Sequence, residues 1–209
     1  MSLLRRRVIP STIIALSQVD GPARLAAALR RAAGRPARVE LYLAFDDPCS
    51  AVALLDLSAR LAAHRVELIT RPVVRRGIPG DPAAADKRRY ALADAQRLAR
   101  RAGLTLTRSD MPDPERCMAL ACRAAGLPES DRGAFCRSAM RLIWLEAGTL
   151  ELQQSGCDSR ALRANERRMR RAGPYDTPAA VVHGQWFFAH DRGSQIERRV
   201  IELGFGGAA

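Results

Sequence analysis

The residues that could do chemistry sit in four short stretches. Asp46-Asp47-Pro48-Cys49-Ser50 follows an apolar run from Val39 to Phe45. A carboxylate at Asp47 can cap a helix that begins with proline. It can also take a proton from a substrate as a general base. Both readings stay open for Asp47. Cys49 falls in the first helical turn, where the helix dipole lowers a thiol pKa; the other reading is a buried structural thiol. Lys87 is the only lysine among 34 basic residues, a compact charge on a flexible stem. Thr177-Pro178 opens an extended run, and Asp191-Arg192, with His190 beside them, closes the run after it.

These stretches need elements to hold them. Val39, Leu41, Leu43 and Phe45 alternate with Tyr42 and Ala44, which reads as a strand. An apolar helix from the Asp47 turn to Ala63 and a second strand, Val66 to Thr70, follow. Two strands joined by such a crossover are expected to be parallel. Upstream, Asp20 to Ala33 reads as a helix with Leu25, Leu29 and Ala33 on one face, ended by Gly34. Residues 75–82 form a Gly/Pro loop. From Asp86 to about Arg171 the pattern is helical, with breaks at Gly103, Met111 to Pro114, Gly126 to Pro128, Gly148 and Gly156. Ala179 to Val182 and Gln185 to Phe188, joined by His183-Gly184, make a hairpin, since a two-residue connection with glycine favours the tight turn. Pro178 stands at the first strand position, where a strand accepts proline. A helix from Gly193 to Leu203 ends the order, which is βαβ, a helical block, then ββα.

The chain of 209 residues is long enough for one domain, or one domain with an insertion. Strands on both sides of the helical block make it an insertion. The expected division is an arm over 1–20 and a single domain over 21–209, with the insertion at about 85–171. The net charge is +12. The arginines are scattered, without a basic tail or interleaved aromatics, so no nucleic-acid partner is expected. The five cysteines are Cys49, Cys117, Cys122, Cys136 and Cys157, with no C-x-x-C. Cys117 and Cys122 lack a neighbouring histidine, so no metal site is expected, and free thiols in a reducing compartment are. Arg5-Arg6-Arg7 precedes a run from Val8 to Leu16 that Pro10, Ser11 and Thr12 interrupt. That run does not read as an export signal, and no segment is long enough to span a bilayer. The expected location is cytoplasmic.

The whole pattern resembles a thioredoxin fold, an α/β fold with an all-helical insertion. It is similar to the branch that holds the disulfide oxidoreductase DsbA, the kappa-class glutathione transferases and the 2-hydroxychromene-2-carboxylate isomerases. Three patterns carry the resemblance. Leu41 to Ser50 matches a strand followed by Ser-Pro-x-Ser, or Cys-Pro-x-Cys in DsbA. Lys87-x-x-Tyr90-x-x-x-Asp94-x-x-Arg97-x-Ala99 matches the isomerase-type helix. Thr177-Pro178, Gly184, Phe187-Phe188 and Asp191-Arg192 match the family's ending.

The resemblance implies that Pro178 is cis and that the Thr177 backbone pairs with the cysteinyl part of glutathione. It implies that Asp191 meets the glutathione ammonium, that backbone and Arg192 meet the γ-glutamyl carboxylate, and that Lys87 reaches the thiol or glycyl end. Glutathione is thus the implied cofactor, a small apolar or aromatic molecule the substrate, and a homodimer a further expectation. The sequence departs from the family at the catalytic position, where Asp47 replaces serine or cysteine. A carboxylate repels a thiolate and raises its pKa. Ser50 stands at the second cysteine position, which excludes DsbA-type dithiol exchange. Ala189 replaces a glycine, and Gly80-Asp81 stands nearest to an asparagine that kappa-like proteins carry. Tyr90, Asp94 and Arg97 also read as helix-surface packing and ion pairs. His64 and His183 read as exposed surface residues. Two functions follow: a glutathione-dependent isomerase or transferase, or a catalytically diverged, non-redox protein that binds a ligand or partner without turnover.

Overall fold

The structure, a computed structural model, describes residues 21–78, 80–148 and 159–207. The arm over 1–20, Asp20, Gly156 and Cys157 lie outside the described residues. The chain opens with α1 (Gly21–Ala32), β1 (Ala37–Leu43), α2 (Pro48–Leu61) and β2 (Val66–Pro72). The helical block follows as α3 (Ala84–Arg101), α4 (Pro114–Gly126), α5 (Glu129–Met140), a π-turn over Arg141–Leu145, and α6 (Ser159–Ala172). The hairpin β3 (Ala179–Val182) and β4 (Gln185–Phe188) leads to α7 (Gly193–Glu202). The four strands form one sheet in the order β2-β1-β3-β4, with β1 and β2 parallel and both β1–β3 and β3–β4 antiparallel. This is the βαβ…ββα order expected from the sequence, with helices between the halves.

Alternation in β1 sorts two faces. Val39, Leu41 and Leu43 are fully buried in a core shared with Leu54 and Leu57 of α2 and with Ile196 and Val200 of α7. Burial of such aliphatic side chains contributes about 1.5–3 kcal/mol each. Leu120 of α4, Met140 of α5 and Trp144 of the π-turn join the same core. Tyr42 points to the other face, with Val73, Met169 and Ala179. Residues His183 and Gly184 both have positive φ, 46° and 87°, the twist that a two-residue hairpin needs.

The shared face of Leu25, Leu29 and Ala33 is turned outward: the two leucines are 63% and 64% exposed, while Ala27 of α1 is buried. The helix packs through its small residue instead of its large ones. Two expectations are corrected. Neither His64 nor His183 is a free surface group. His64 accepts from the Gly207 N–H through Nδ1 at 3.2 Å, so its Nε2 carries the proton shared with Glu197, also at 3.2 Å. The His183 ring stacks on Phe205, its Nε2 is buried without a partner, and burial pushes its pKa down. The cysteines are not all free thiols either: Cys49, Cys117 and Cys136 are free, but Cys122 is disulfide-bonded.

Candidate functional site

The carboxyl end of β1 meets the mouth of the hairpin at Asp47. As the N-cap of α2, Asp47 has extended backbone (φ −114°, ψ 108°) and its Oδ1 accepts the Cys49 N–H at 3.0 Å. Its Oδ2 accepts two hydroxyls, from Ser50 at 2.6 Å and from Thr177 at 3.0 Å. The Ser50 hydroxyl in turn accepts the Ala44 N–H at 3.2 Å. Asp47 is therefore a tie between the helix start and the hairpin mouth, and it is only 8% exposed. Burial pushes its pKa above the ordinary carboxylate range, against the opposing pull of Arg76 and the three hydrogen bonds. The capping role is seen directly. A group this enclosed does not reach a substrate from its present position.

The Thr177–Pro178 bond is cis. The Thr177 N–H donates to Asp176 Oδ1 at 2.8 Å, and the Ala189 N–H donates to the Pro178 carbonyl at 2.8 Å. The amide of Thr177, one of the groups available to pair with a ligand backbone, is thus taken by its own neighbour.

Arg76, in the loop after β2, is the member of this site that the sequence reading missed. Its guanidinium lies 2.7 Å from Asp46 and 3.7 Å from Asp176, and it acts electrostatically on Asp47. Gly77 N–H donates to the Tyr175 carbonyl at 2.8 Å, so the same loop braces the segment before Pro178. Glu166 of α6 holds that loop by accepting the Arg75 N–H at 2.8 Å. Trp144 Nε1 donates to the Phe45 carbonyl at 3.1 Å and fixes the turn from the other side. The one available signal was position: ligand sites in open α/β sheets gather at the carboxyl ends of strands, and Arg75-Arg76 follows such an end.

Cys49 is partly buried and its pKa is strongly raised, first by burial and then by Asp47, Asp94 and Asp191. The expected lowering by the helix dipole is overturned, because three carboxylates and the loss of water outweigh it. Lys87, on α3, is 59% exposed and pairs with Asp81 at 2.6 Å. That pairing with Asp81 raises the Lys87 pKa. Asp94 and Arg97 pair with each other on the helix surface at 2.7 Å. Asp191 lies 3.5 Å from His190 Nε2 and 3.9 Å from Arg192 Nε, all three partly open to solvent. Arg192 is the N-cap residue of α7 and also reaches Gln195 at 3.4 Å.

Asp47 and Thr177 are therefore in direct contact, while Lys87 and Asp191-Arg192 are exposed and pair with other residues. For glutathione the fit is divided. Lys87, Asp191 and Arg192 present exposed charges of both signs for its charged ends. Asp47 presents a hydrogen-bonded carboxylate where its thiol would need a donor. Among the described residues no cluster of metal-ligating side chains occurs, and no helix is long and apolar enough to cross a membrane.

No protein-family model and no curated protein matches the sequence. Among solved structures, a 2-hydroxychromene-2-carboxylate isomerase is similar at 17% identity and a TM-score of 0.59, covering 79% of this chain and 95% of that one. A probable DsbA oxidoreductase from Streptomyces coelicolor has 16% identity and a TM-score of 0.48, with coverages of 80% and 89%. A DsbA oxidoreductase from Xylella fastidiosa has 17% identity and a TM-score of 0.37, with coverages of 80% and 83%. The likeness to the isomerase structure shows the fold: this chain has a thioredoxin-like fold, with helices between its βαβ and ββα halves.

Proposed function

We propose that the chain is a non-redox thioredoxin-fold protein that binds a small anionic thiol of the glutathione class through Lys87, Asp191 and Arg192. One observation carries this reading: both the Ser50 and the Thr177 hydroxyls are spent on Asp47 Oδ2. The position across from Pro178 thus has neither a thiol to form a disulfide nor a free hydroxyl to hold a thiolate. An ionised carboxylate there disfavours a thiolate. The ligand's charged ends, not its sulfur, then supply the affinity.

Calorimetry with glutathione and with S-methyl glutathione tests it. Binding of both with similar affinity is expected. No heat from either removes the proposal, and binding of glutathione alone shows that the thiol is recognised after all.

The second reading is a glutathione-dependent isomerase or transferase acting on a small apolar or aromatic substrate. The isomerase-like fold and the exposed Asp191 and Arg192 support it. Here Asp47 serves as a base, which requires the Thr177 contact to open. Turnover of 2-hydroxychromene-2-carboxylate by the wild-type chain with glutathione selects this reading. Activity that emerges only in Asp47→Ser selects the first.

A further inference from the structure

A concave site lies under α6, on the face of the sheet that carries Tyr42. The cavity measures about 590 Å³ and is lined by Glu40 of β1, Arg71 of β2, Val181 of β3 and Arg167, Arg168 and Arg171 of α6. Positions 164, 167, 168 and 171 share one face of α6, since residues three and four apart are neighbours on a helix. That volume is within the range of small-ligand sites.

The charges inside it do not cancel. Glu40 is the one acidic residue of the lining, against four arginines. Its Oε1 accepts from Arg168 Nη2 at 2.6 Å and Arg71 Nη2 at 3.3 Å, and its Oε2 from Arg168 Nε at 2.8 Å and the Tyr42 hydroxyl at 3.0 Å. A carboxylate has about four acceptor positions, so Glu40 is filled. Arg71 is shared with Glu129 at 3.1 Å, yet its Nε is buried with no acceptor. Arg167 and Arg171 make no hydrogen bond or ion pair among the described residues. Unspent guanidinium groups therefore face a cavity whose own carboxylate is used up.

We propose that this cavity is a binding site for a small organic polyanion, a phosphate ester or a multiply carboxylated acid, separate from the Pro178 cleft. Guanidinium forks pair bidentately with phosphate or carboxylate oxygens. Arg167 and Arg171 grip the anion from α6. Val181 and Ala172 offer an apolar wall to the carbon skeleton.

Calorimetry at low ionic strength with two probes, inorganic pyrophosphate and citrate, tests the site and distinguishes the two anion chemistries. One saturable site for at least one probe is expected. In Arg167→Ala/Arg171→Ala the affinity falls by about tenfold or more, because two charge-assisted contacts are lost. In Arg163→Ala/Arg170→Ala, which removes the same charge from the same helix outside the cavity lining, it stays within about twofold, the range of rim-charge effects. All four positions are exposed, so folding is preserved and circular dichroism checks it. Absence of saturable binding by either probe overturns the proposal. So does an equal loss in both double variants, or displacement of the probe by an oligonucleotide to the same extent in both, since either marks a diffuse charge field. Glutathione binding at the Pro178 cleft is unaffected by Arg167→Ala/Arg171→Ala, so the two sites stand or fall separately.

Discussion

Replacing Asp47 by alanine removes a helix cap and the acceptor of two hydroxyls in one step. Loss of an N-cap side chain costs about 1 kcal/mol. Ser50 is fully buried and has no water to turn to, so its hydroxyl loses a partner at roughly 1–3 kcal/mol. Thr177 is only partly buried and rehydrates cheaply. Burial of the carboxylate is relieved, which offsets part of the loss. A net destabilisation of about 2 kcal/mol results, and at a urea m-value of roughly 2 kcal/mol/M it lowers the unfolding midpoint by about 1 M. Asp47→Ser keeps a capping oxygen and loses less. The pH dependence adds a second readout. The folded pKa of Asp47 lies above its ordinary 3.8, so the folded state holds this proton more tightly than the unfolded state does. The associated stability is present below 3.8 and is lost as pH rises through the folded value. The stability of Asp47→Ser relative to wild type therefore improves across that rise. A midpoint unchanged in Asp47→Ala, or a wild-type-minus-serine difference flat with pH, refutes the account of Asp47 as a buried tie.

Other expectations concern separate parts of the molecule. Glu40→Gln weakens the grip on Arg71 and Arg168 and destabilises by about 1–3 kcal/mol, reduced by the exposure of Arg168. Burial alone would raise the Glu40 pKa, but Arg168, Arg71 and Tyr42 bring it below 4.5. The Glu40 contribution is thus present above 4.5 and disappears as pH falls through the folded value; denaturant titrations that show a constant difference down to strong acid contradict this. Gly173→Ala places a Cβ 2.6 Å from Trp186 Nε1 at φ +112°, so stability drops by about 1–3 kcal/mol and Trp186 emission shifts. Unchanged fluorescence and melting would show that the loop simply moves aside. Cys49, with its pKa raised by burial and three carboxylates, reacts with iodoacetamide at pH 8 about a hundredfold more slowly than a free thiol. Labelling at the free-thiol rate, located by mass spectrometry, would disprove that environment.

The strands and the Asp47 turn were legible because each depends on neighbours in sequence. Period-two alternation sorted Val39, Leu41 and Leu43 from Tyr42, and both faces are where that alternation puts them. Asp47-Pro48 contains its own cap. The Ala179-to-Phe188 hairpin contains its own turn. What the sequence hid depends on parts distant along the chain. Arg76 owes its place to Asp46 and Asp176, which flank it from two other loops. The outward face of α1 depends on which residue meets the core, and periodicity alone does not say which stripe that is. The helix dipole at Cys49 is a local effect, but burial first, and then Asp47 with Asp94 and Asp191 from distant elements, outweigh it. Lys87 was read through its scarcity, whereas its partner is the loop residue Asp81, six positions away.

Trp144 has a consequence for how the molecule comes apart. Its indole is fully enclosed, bonds the Phe45 carbonyl and sits in one core with Leu41 and Val182. The helical block is therefore not a lobe that can open while the sheet stays closed. Amide protons of β1 and of the helix carrying Met140 should share one slowest exchange regime, governed by global unfolding. Exposed α1 should exchange through far cheaper fluctuations, so cooperativity in this chain follows the indole and its neighbours instead of the order of elements along the sequence.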